Sequence, residues 1–262
     1  MHMTRSLDGR WDHQKFFIHT THLGDIIVCT NIIYNFALQN NFVALVKYSK
    51  PEVGKSLSRI FDYEGRLRVE NFLGKQGHGL AFGNFVHLKR NQCGYWCFQR
   101  FASMTIQARK LNGFRLPRCR LKPYKSDRKY QTCQFNSYSA TWFKKHYEKR
   151  EIDAAMKLFG KGNVFYVGKP GTRTYTADAR PNYANLEEQA AFLLGCESFF
   201  GIDSGMSHLA GSLGVKGDIC LQPEDQKLIG CVEVMYNFMY PSLRLHRRVS
   251  LQEHLGHDKT LL

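Results

Sequence analysis

The sequence predicts an α/β fold of parallel strands, on three observations. Short runs rich in aromatic and β-branched residues, Phe16 to Thr20 and Phe199 to Ile202 among them, end abruptly at turns of small and polar residues. Each of these turns opens into a segment whose apolar residues recur at helical spacing. Strand, turn and helix in direct succession is the unit from which sheets with helices on their faces are built.

The first unit has its strand at 16 to 20, a turn at His22-Leu23-Gly24-Asp25, and a helix marked by Ile26, Ile27, Ile33, Tyr34, Ala37 and Leu38. Asp25 falls at the carboxyl end of the strand, the edge at which open α/β sheets take ligands. A carboxylate there, beside a glycine that permits close approach, has the makings of a general base. The plainer alternative is that Asp25 caps the helix. Strands are expected next at 43 to 47 and 84 to 88. Val53-Gly54-Lys55-Ser56 looks like the end of a phosphate-binding P-loop, but Ser49 stands where that loop needs its first glycine, so Lys55 reads as a solvated surface charge. No GxGxxG follows the first strand, which excludes a dehydrogenase-type dinucleotide fingerprint. Gly74 to Gly83, with four glycines, is too broken for a regular element and is expected to form a loop.

In the second half, strands are expected at 130 to 135, 163 to 167, 198 to 202 and 217 to 221. Asn185 and Glu188 have the spacing of a capping box and predict a helix over 185 to 194. The segment Phe199 to Val215 is the most informative. After its strand, Asp203-Ser204-Gly205 turns the chain, and Met206, Leu209, Ala210 and Leu213 continue as a helix. A helix N-terminus in that place presents unpaired backbone N–H groups and partial positive charge, which suits a diphosphate. Asp203 would repel a phosphate, so it must face another part of the same ligand, such as sugar hydroxyls. A nucleotide sugar offers both. Turn and N-cap chemistry alone would also explain these residues. Ser250 and Glu253 again have capping-box spacing and predict a tail helix over 251 to 261.

Taken together, the two motifs resemble the lipopolysaccharide heptosyltransferases, a family of GT-B glycosyltransferases using ADP-heptose-type donors. Gly24, Asp25 and Thr30 match the family's first motif. Asp203, Ser204, Gly205, Ser207, His208, Leu209 and Ala210 match its late Asp-Ser/Thr-Gly-x-Ser-His-Leu-Ala motif. The resemblance covers 15 to 38 and 160 to 222. It implies two Rossmann-like parallel-sheet domains with the active site in the cleft between them, an acceptor-binding domain over 1–128 and a nucleotide-sugar domain over 129–262, with the tail helix packing back on the first. It further implies an inverting transfer with no covalent intermediate and no obligatory metal or other cofactor, the nucleotide-diphosphate sugar being a co-substrate. Asp25 becomes the base that deprotonates the acceptor. Asp203 becomes the sugar contact, with Ser204, Gly205, Met206, Ser207 and His208 on the donor, and Lys169 or Arg173 as a further donor cation. His22, Gly24 and the loop residue His78 fall to the acceptor side. The chain departs from the family in having Asn31 where a proline is usual after Thr30. It also departs in Asn136 to Phe143, where Trp142 has neither the family's Lys before it nor its Pro after, leaving Lys144 or Arg173 as replacements.

Composition places bounds on all of this. A chain of 262 residues, 43% hydrophobic, can bury a sizeable core and is not disordered in the main. It holds no apolar run long enough to span a membrane, and its first residues lack the apolar stretch of a secretion signal, so a cytoplasmic enzyme is expected, at the inner membrane surface or in a host cytoplasm if viral. The eight cysteines are scattered and only Cys93 and Cys97 are close, which favours reduced thiols over a zinc site. The net charge of +15 is concentrated: from Arg109 to Arg150 thirteen Lys and Arg stand against Asp127 and Glu148 alone. Phe114, Tyr124, Tyr130, Tyr138 and Trp142 are interleaved with them. Cations with aromatics suit a polyanion, here an anionic acceptor met by Arg115, Arg118, Arg120 and Lys122, although charge runs are commonly solvated linkers. A smaller basic group, Arg244, His246, Arg247 and Arg248, lies near the other end.

The leading expectation is therefore a glycosyltransferase acting on lipopolysaccharide core or on a modified DNA such as hydroxymethylated viral DNA. The competing one is an inactive module that keeps the nucleotide-sugar fold and binds nucleic acid through its basic segment.

Overall fold

A computed structural model of the chain describes residues 13–18, 20, 22–70, 95–98, 108–127, 129–134, 164–167, 185–221 and 229–247. It divides into two compact units, Met1–Arg120 and Leu121–Leu262. The expected strand at 84 to 88, the glycine-rich loop, the stretch from 136 to 143 and the tail helix lie outside the described residues, as do Lys144, Lys169, Arg173 and His78.

The first unit runs β1 (His13–Ile18), α1 (Leu23–Gln39), β2 (Val43–Tyr48), α2 (Pro51–Ile60), β3 (Phe61–Asp62), β4 (Leu67–Val69), β5 (Tyr95–Phe98) and β6 (Arg118–Cys119). Its main sheet has the order β4-β2-β1-β5 with every pair parallel. Strand order therefore reverses between β1 and β5, and the two neighbours of β1 lead the chain away in opposite directions. In open α/β sheets such a reversal is where ligands bind, and here it lies beside the carboxyl end of β1, where the chain enters α1.

Helix α1 is buried almost all round, from Ile26 through Asn35, which a single apolar stripe does not explain. The cause is a strap. Asn35 bonds the backbone of Arg115 in both directions, donating from Nδ2 to its carbonyl (2.9 Å) and accepting its N–H at Oδ1 (2.8 Å). Gln39 likewise donates to the carbonyls of Asn112 and Gly113 and accepts the Asn112 N–H. Residues 111 to 120 thus cover the face of α1 that the sheet leaves open, and β6 closes the strap by pairing with β3. Asn31, where the resembled family has proline, is interior to this helix, and its carbonyl accepts from Asn35 Nδ2 (2.9 Å).

Gly54, part of the P-loop look-alike, lies within α2 and is a packing glycine: a Cβ there would come within 2.3 Å of the Tyr48 ring. The ring has no room to move aside, because Tyr48 is buried and its hydroxyl is tied to Thr30 Oγ1 at 3.2 Å. Gly54→Ala is expected to cost about 1–3 kcal/mol by overpacking, read as a lowered midpoint in urea denaturation at unchanged slope. Lys55 is exposed, as expected.

The second unit contains β7 (Gln131–Gln134), β8 (Val164–Tyr166), α3 (Leu186–Gly195), β9 (Phe199–Ile202), α4 (Gly205–Ser212), β10 (Gly217–Leu221), α5 (Ile229–Met239) and β11 (Leu243–Arg247). All pairs are parallel, in the order β11-β10-β9-β7-β8. This is the doubly wound order of flavodoxin-like sheets, with its reversal between β7 and β9. The capping box of α3 forms as expected, Asn185 Oδ1 accepting the Glu188 N–H at 2.8 Å while Asn185 Nδ2 reaches the Glu188 carboxylate. Tyr130, Phe165 and Phe192 form an aromatic cluster under α3, and the Tyr130 hydroxyl donates to the Phe192 carbonyl.

The boundary between the two compact units falls at Arg120. The reason is hydrogen bonding: the Arg120 N–H bonds Ile60 of the first unit, while the Tyr124 N–H bonds Ala191 of α3 in the second.

Candidate functional site

Each unit carries one of the two motif aspartates at its own strand-order reversal. In the first, the helix begins at Leu23, with His22 as N-cap and no side-chain cap. Asp25 is therefore inside the first turn and is not the cap. Its Oδ2 accepts from Thr20 Oγ1 at 3.2 Å, and the same hydroxyl accepts the His22 N–H at 3.2 Å. Thr20 is fixed in turn by Ser49, whose hydroxyl donates to the Thr20 carbonyl and whose N–H bonds Ile18. The end of β2 thereby holds the loop that holds Asp25. The helix dipole and the Thr20 hydroxyl both favour a negative charge at this position. Asp25 and Gly24 are half-buried, and His22 is exposed beside them.

In the second unit, Asp203 follows β9 directly and Ser204 is the N-cap of α4, its Oγ accepting the Ser207 N–H at 3.4 Å. Gly205 and Met206 then occupy the first two helical positions, where backbone N–H groups have no intrahelical acceptor. Met206 is buried, so it can offer a ligand only its backbone. The Ser207 hydroxyl is spent on the Ile202 carbonyl. Ser204 Oγ also donates to the side-chain carbonyl of Gln134, the last residue of β7, across the reversal from β9. Gln134 is 8% exposed. With its oxygen engaged by Ser204, the NH2 end of this carboxamide remains as a donor beside the α4 N-terminus.

Asp203 is nearly buried and is held from behind. Tyr236 of α5 donates its hydroxyl to Oδ1 at 2.8 Å, and His208 Nε2 lies 3.3 Å from the same oxygen. The Tyr236 phenol is pushed well above its ordinary range, by burial first and by the Asp203 charge second, so it acts as a donor. His208 is buried between Tyr236 and Tyr240 and faces Asp203.

The four cations expected to form one set divide into two kinds. Arg115 pairs with Glu64 at 2.6 Å and Arg120 with Asp62 at 2.8 Å. The Asp62 carboxyl is held below its usual range, by the Arg120 hydrogen bond above all. Arg118 and Lys122 are exposed. Both ion pairs are themselves half open to solvent, so they contribute little and can yield to a stronger anion. The smaller basic group is tied down similarly, with Arg244 and His246 both on the Asp218 carboxylate. Burial pushes the Cys196 thiol up to about 11 and Cys133 higher still, which makes both poor nucleophiles and poor metal ligands. Among the described residues no cluster of His, Cys, Asp and Glu is arranged to hold a metal, and no helix is long and apolar enough to cross a membrane.

Three residues of these sites escape the sequence patterns. Thr20 and Gln134 had one local signal, a polar side chain closing an apolar strand. Tyr236 had none, since it lies inside α5 among apolar residues with no turn or cap to mark it.

No protein-family model matches the chain, and no curated protein matches it by sequence. Its likeness is to solved structures. The iron-containing dodecameric glycosyltransferase TibC from enterotoxigenic E. coli H10407 superposes with a TM-score of 0.52 at 16% identity, over 80% of this chain and 60% of that one. The E. coli heptosyltransferase WaaC, solved with ADP, gives 0.55 at 11% identity over 95% of this chain and 98% of its own. A glycosyl transferase family 9 structure from Veillonella parvula DSM 2008 gives 0.53 at 13% identity, over 98% and 91%. The chain thus spans nearly the whole of WaaC but under two thirds of TibC. At these identities the likeness is one of architecture, and the two parallel sheets have the heptosyltransferase-like GT-B fold.

Proposed function

We propose that the chain is a glycosyltransferase that takes its sugar from a nucleotide-diphosphate donor and passes it, with inversion, to a hydroxyl of an anionic acceptor. The observation that carries this reading is the placement of Asp25 and Asp203 at the strand-order reversals of their respective sheets, the position where such sheets bind ligands.

Asp25 takes the proton from the acceptor hydroxyl as the acceptor oxygen bonds to the anomeric carbon. The bond from that carbon to the diphosphate oxygen breaks in the same step, and its electron pair leaves with the phosphate. The N-terminal N–H groups of α4 and their dipole stabilise the departing charge, so the step needs no obligatory metal. Asp203 holds sugar hydroxyls, and the Gln134 carboxamide adds a neutral donor near the phosphates. Lys169 and Arg173 remain candidates for a donor cation, and 1–128 and 129–262 for the acceptor and donor halves.

An ADP-linked sugar of the heptose type is the first donor to test, since WaaC was solved with ADP. Lipopolysaccharide core and hydroxymethylated DNA are the two acceptors that suit exposed Arg118 and Lys122.

A thermal-shift panel of ADP, GDP and UDP with their sugar conjugates tests the donor half. A compound present at a hundred times its dissociation constant adds about 2.7 kcal/mol to the folded state, and one nucleotide series should raise the melting point clearly above the others. A panel in which nothing binds removes the donor site, and the proposal with it.

A further inference from the structure

We infer that Tyr236 is a positioning residue of the proposed donor site: its hydroxyl, with His208 beside it, clamps Oδ1 of Asp203 so that the carboxylate meets the donor sugar in one fixed orientation. This rests on the reading of Asp203 as the sugar contact.

The geometry is that of a clamp with little freedom. Tyr236 is 0% exposed and Asp203 8%. The Tyr236 ring is stacked on His208, with centroids 4.9 Å apart and planes 25° from parallel, and it meets Tyr240 edge-on at 5.5 Å. Its hydroxyl therefore cannot swing away from Oδ1, 2.8 Å distant. His208 contributes a second donor. Its Nδ1 is buried without a hydrogen-bond partner, and a proton there would be an unpaired buried donor. The ring proton therefore belongs on Nε2, which lies 3.3 Å from Asp203 Oδ1 and 3.5 Å from the Tyr236 oxygen.

A polar pair between α5 and α4 could serve packing alone, but its location argues otherwise. Burying a carboxylate is costly, and an apolar contact would join the same helices more cheaply. This carboxylate stands at the ligand edge of the sheet, one residue before the N-cap of α4, where its orientation decides what a sugar meets. Pre-organising it removes the cost of ordering it on binding.

The test compares sugar with no sugar. Binding of ADP, GDP and UDP, of ADP-heptose and of GDP- and UDP-glucose is measured by calorimetry for the wild type and for Tyr236→Phe, which keeps the ring stack and loses only the hydroxyl. For the nucleotide that the wild type prefers, Tyr236→Phe should weaken the conjugate about tenfold and leave the bare diphosphate within about twofold. A purely structural role would weaken both together or neither, and either result overturns the inference. Should Tyr236→Phe fold poorly, His208→Phe keeps a ring against Tyr236, removes the second donor and carries the same comparison. Asp203→Asn separates the two levels. If it leaves the ratio of conjugate to diphosphate affinity unchanged, Asp203 is no sugar contact and the proposed site fails. If it destroys the ratio while Tyr236→Phe does not, only the clamp fails. A wild type that binds none of the six compounds overturns both.

Discussion

Asp25→Ala is expected to abolish sugar transfer while leaving the affinity for the nucleotide sugar within about twofold of the wild type. The two effects separate because the proposed base and the proposed donor contacts belong to different units, so removing Asp25 disturbs none of the α4 hydrogen bonds. General-base catalysis contributes about 10²–10⁴-fold in rate, and a loss of that order in kcat with little change in donor KM is the expected signature. Stability should change little. Asp25 is not the N-cap of α1, and it is only half-buried, with the Thr20 hydroxyl on its carboxylate. Transfer is followed with labelled donor onto lipopolysaccharide core and onto hydroxymethylated DNA, so the assay also separates the two acceptors. Wild-type turnover in the variant would strip Asp25 of the role. Thr20→Val provides a milder companion, since it keeps the carboxylate and removes only the hydroxyl that orients it.

The parts of this fold that were legible in the sequence are those whose chemistry is local. Asn185 and Glu188 announce α3 because a capping box is complete within four residues, and Ser204 is the kind of residue that caps a helix where α4 begins. Strands β2, β7, β8, β9 and β10 were legible as apolar runs bounded by turns, to within a residue at their ends, whereas β1 begins three residues earlier than the run at 16 to 20 announces. What escaped depends on partners far along the chain. The three residues of β4 have no periodicity of their own and exist because β2 pairs with them. Helix α2 hides behind Pro51, Gly54, Ser56 and Ser58, of which Pro51 suits a first helical position and Gly54 is dictated by the Tyr48 ring.

The basic segment illustrates the same limit on the side of function. Charge alone marks 109 to 120 as a polyanion surface or a linker, and it is in part neither. Asn35 and Gln39, 74 to 80 residues earlier in the chain, bind its backbone down as the outer cover of α1. Glu64 and Asp62 then take two of its cations. Polar residues on a helix that looked merely apolar carried the information, and they become readable only once the strap is seen.

Gly217→Ala is expected to have the largest effect of any single methyl group on the second unit. Gly217 begins β10 and is paired in parallel register with Phe199 of β9, and a Cβ on it would lie 2.3 Å from the Phe199 carbonyl oxygen. The obstacle is backbone, so no rotamer change relieves it, and the two strands must separate locally. Neither strand has space to retreat. Phe199 is fully buried, and its own N–H is bonded to the carbonyl of Lys216, immediately before the glycine. Overpacking of this kind costs about 3 kcal/mol, which in a chain of this size lowers the melting point by roughly 6–12 °C. The consequence reaches the proposed site because β9 ends at Ile202 and hands the chain directly to Asp203 and the α4 N-cap. Gly217→Ala should therefore weaken a nucleotide diphosphate and its sugar conjugate together, unlike Tyr236→Phe, which should weaken only the conjugate. A variant that keeps the wild-type melting point would mean that β9 and β10 are not held in this register.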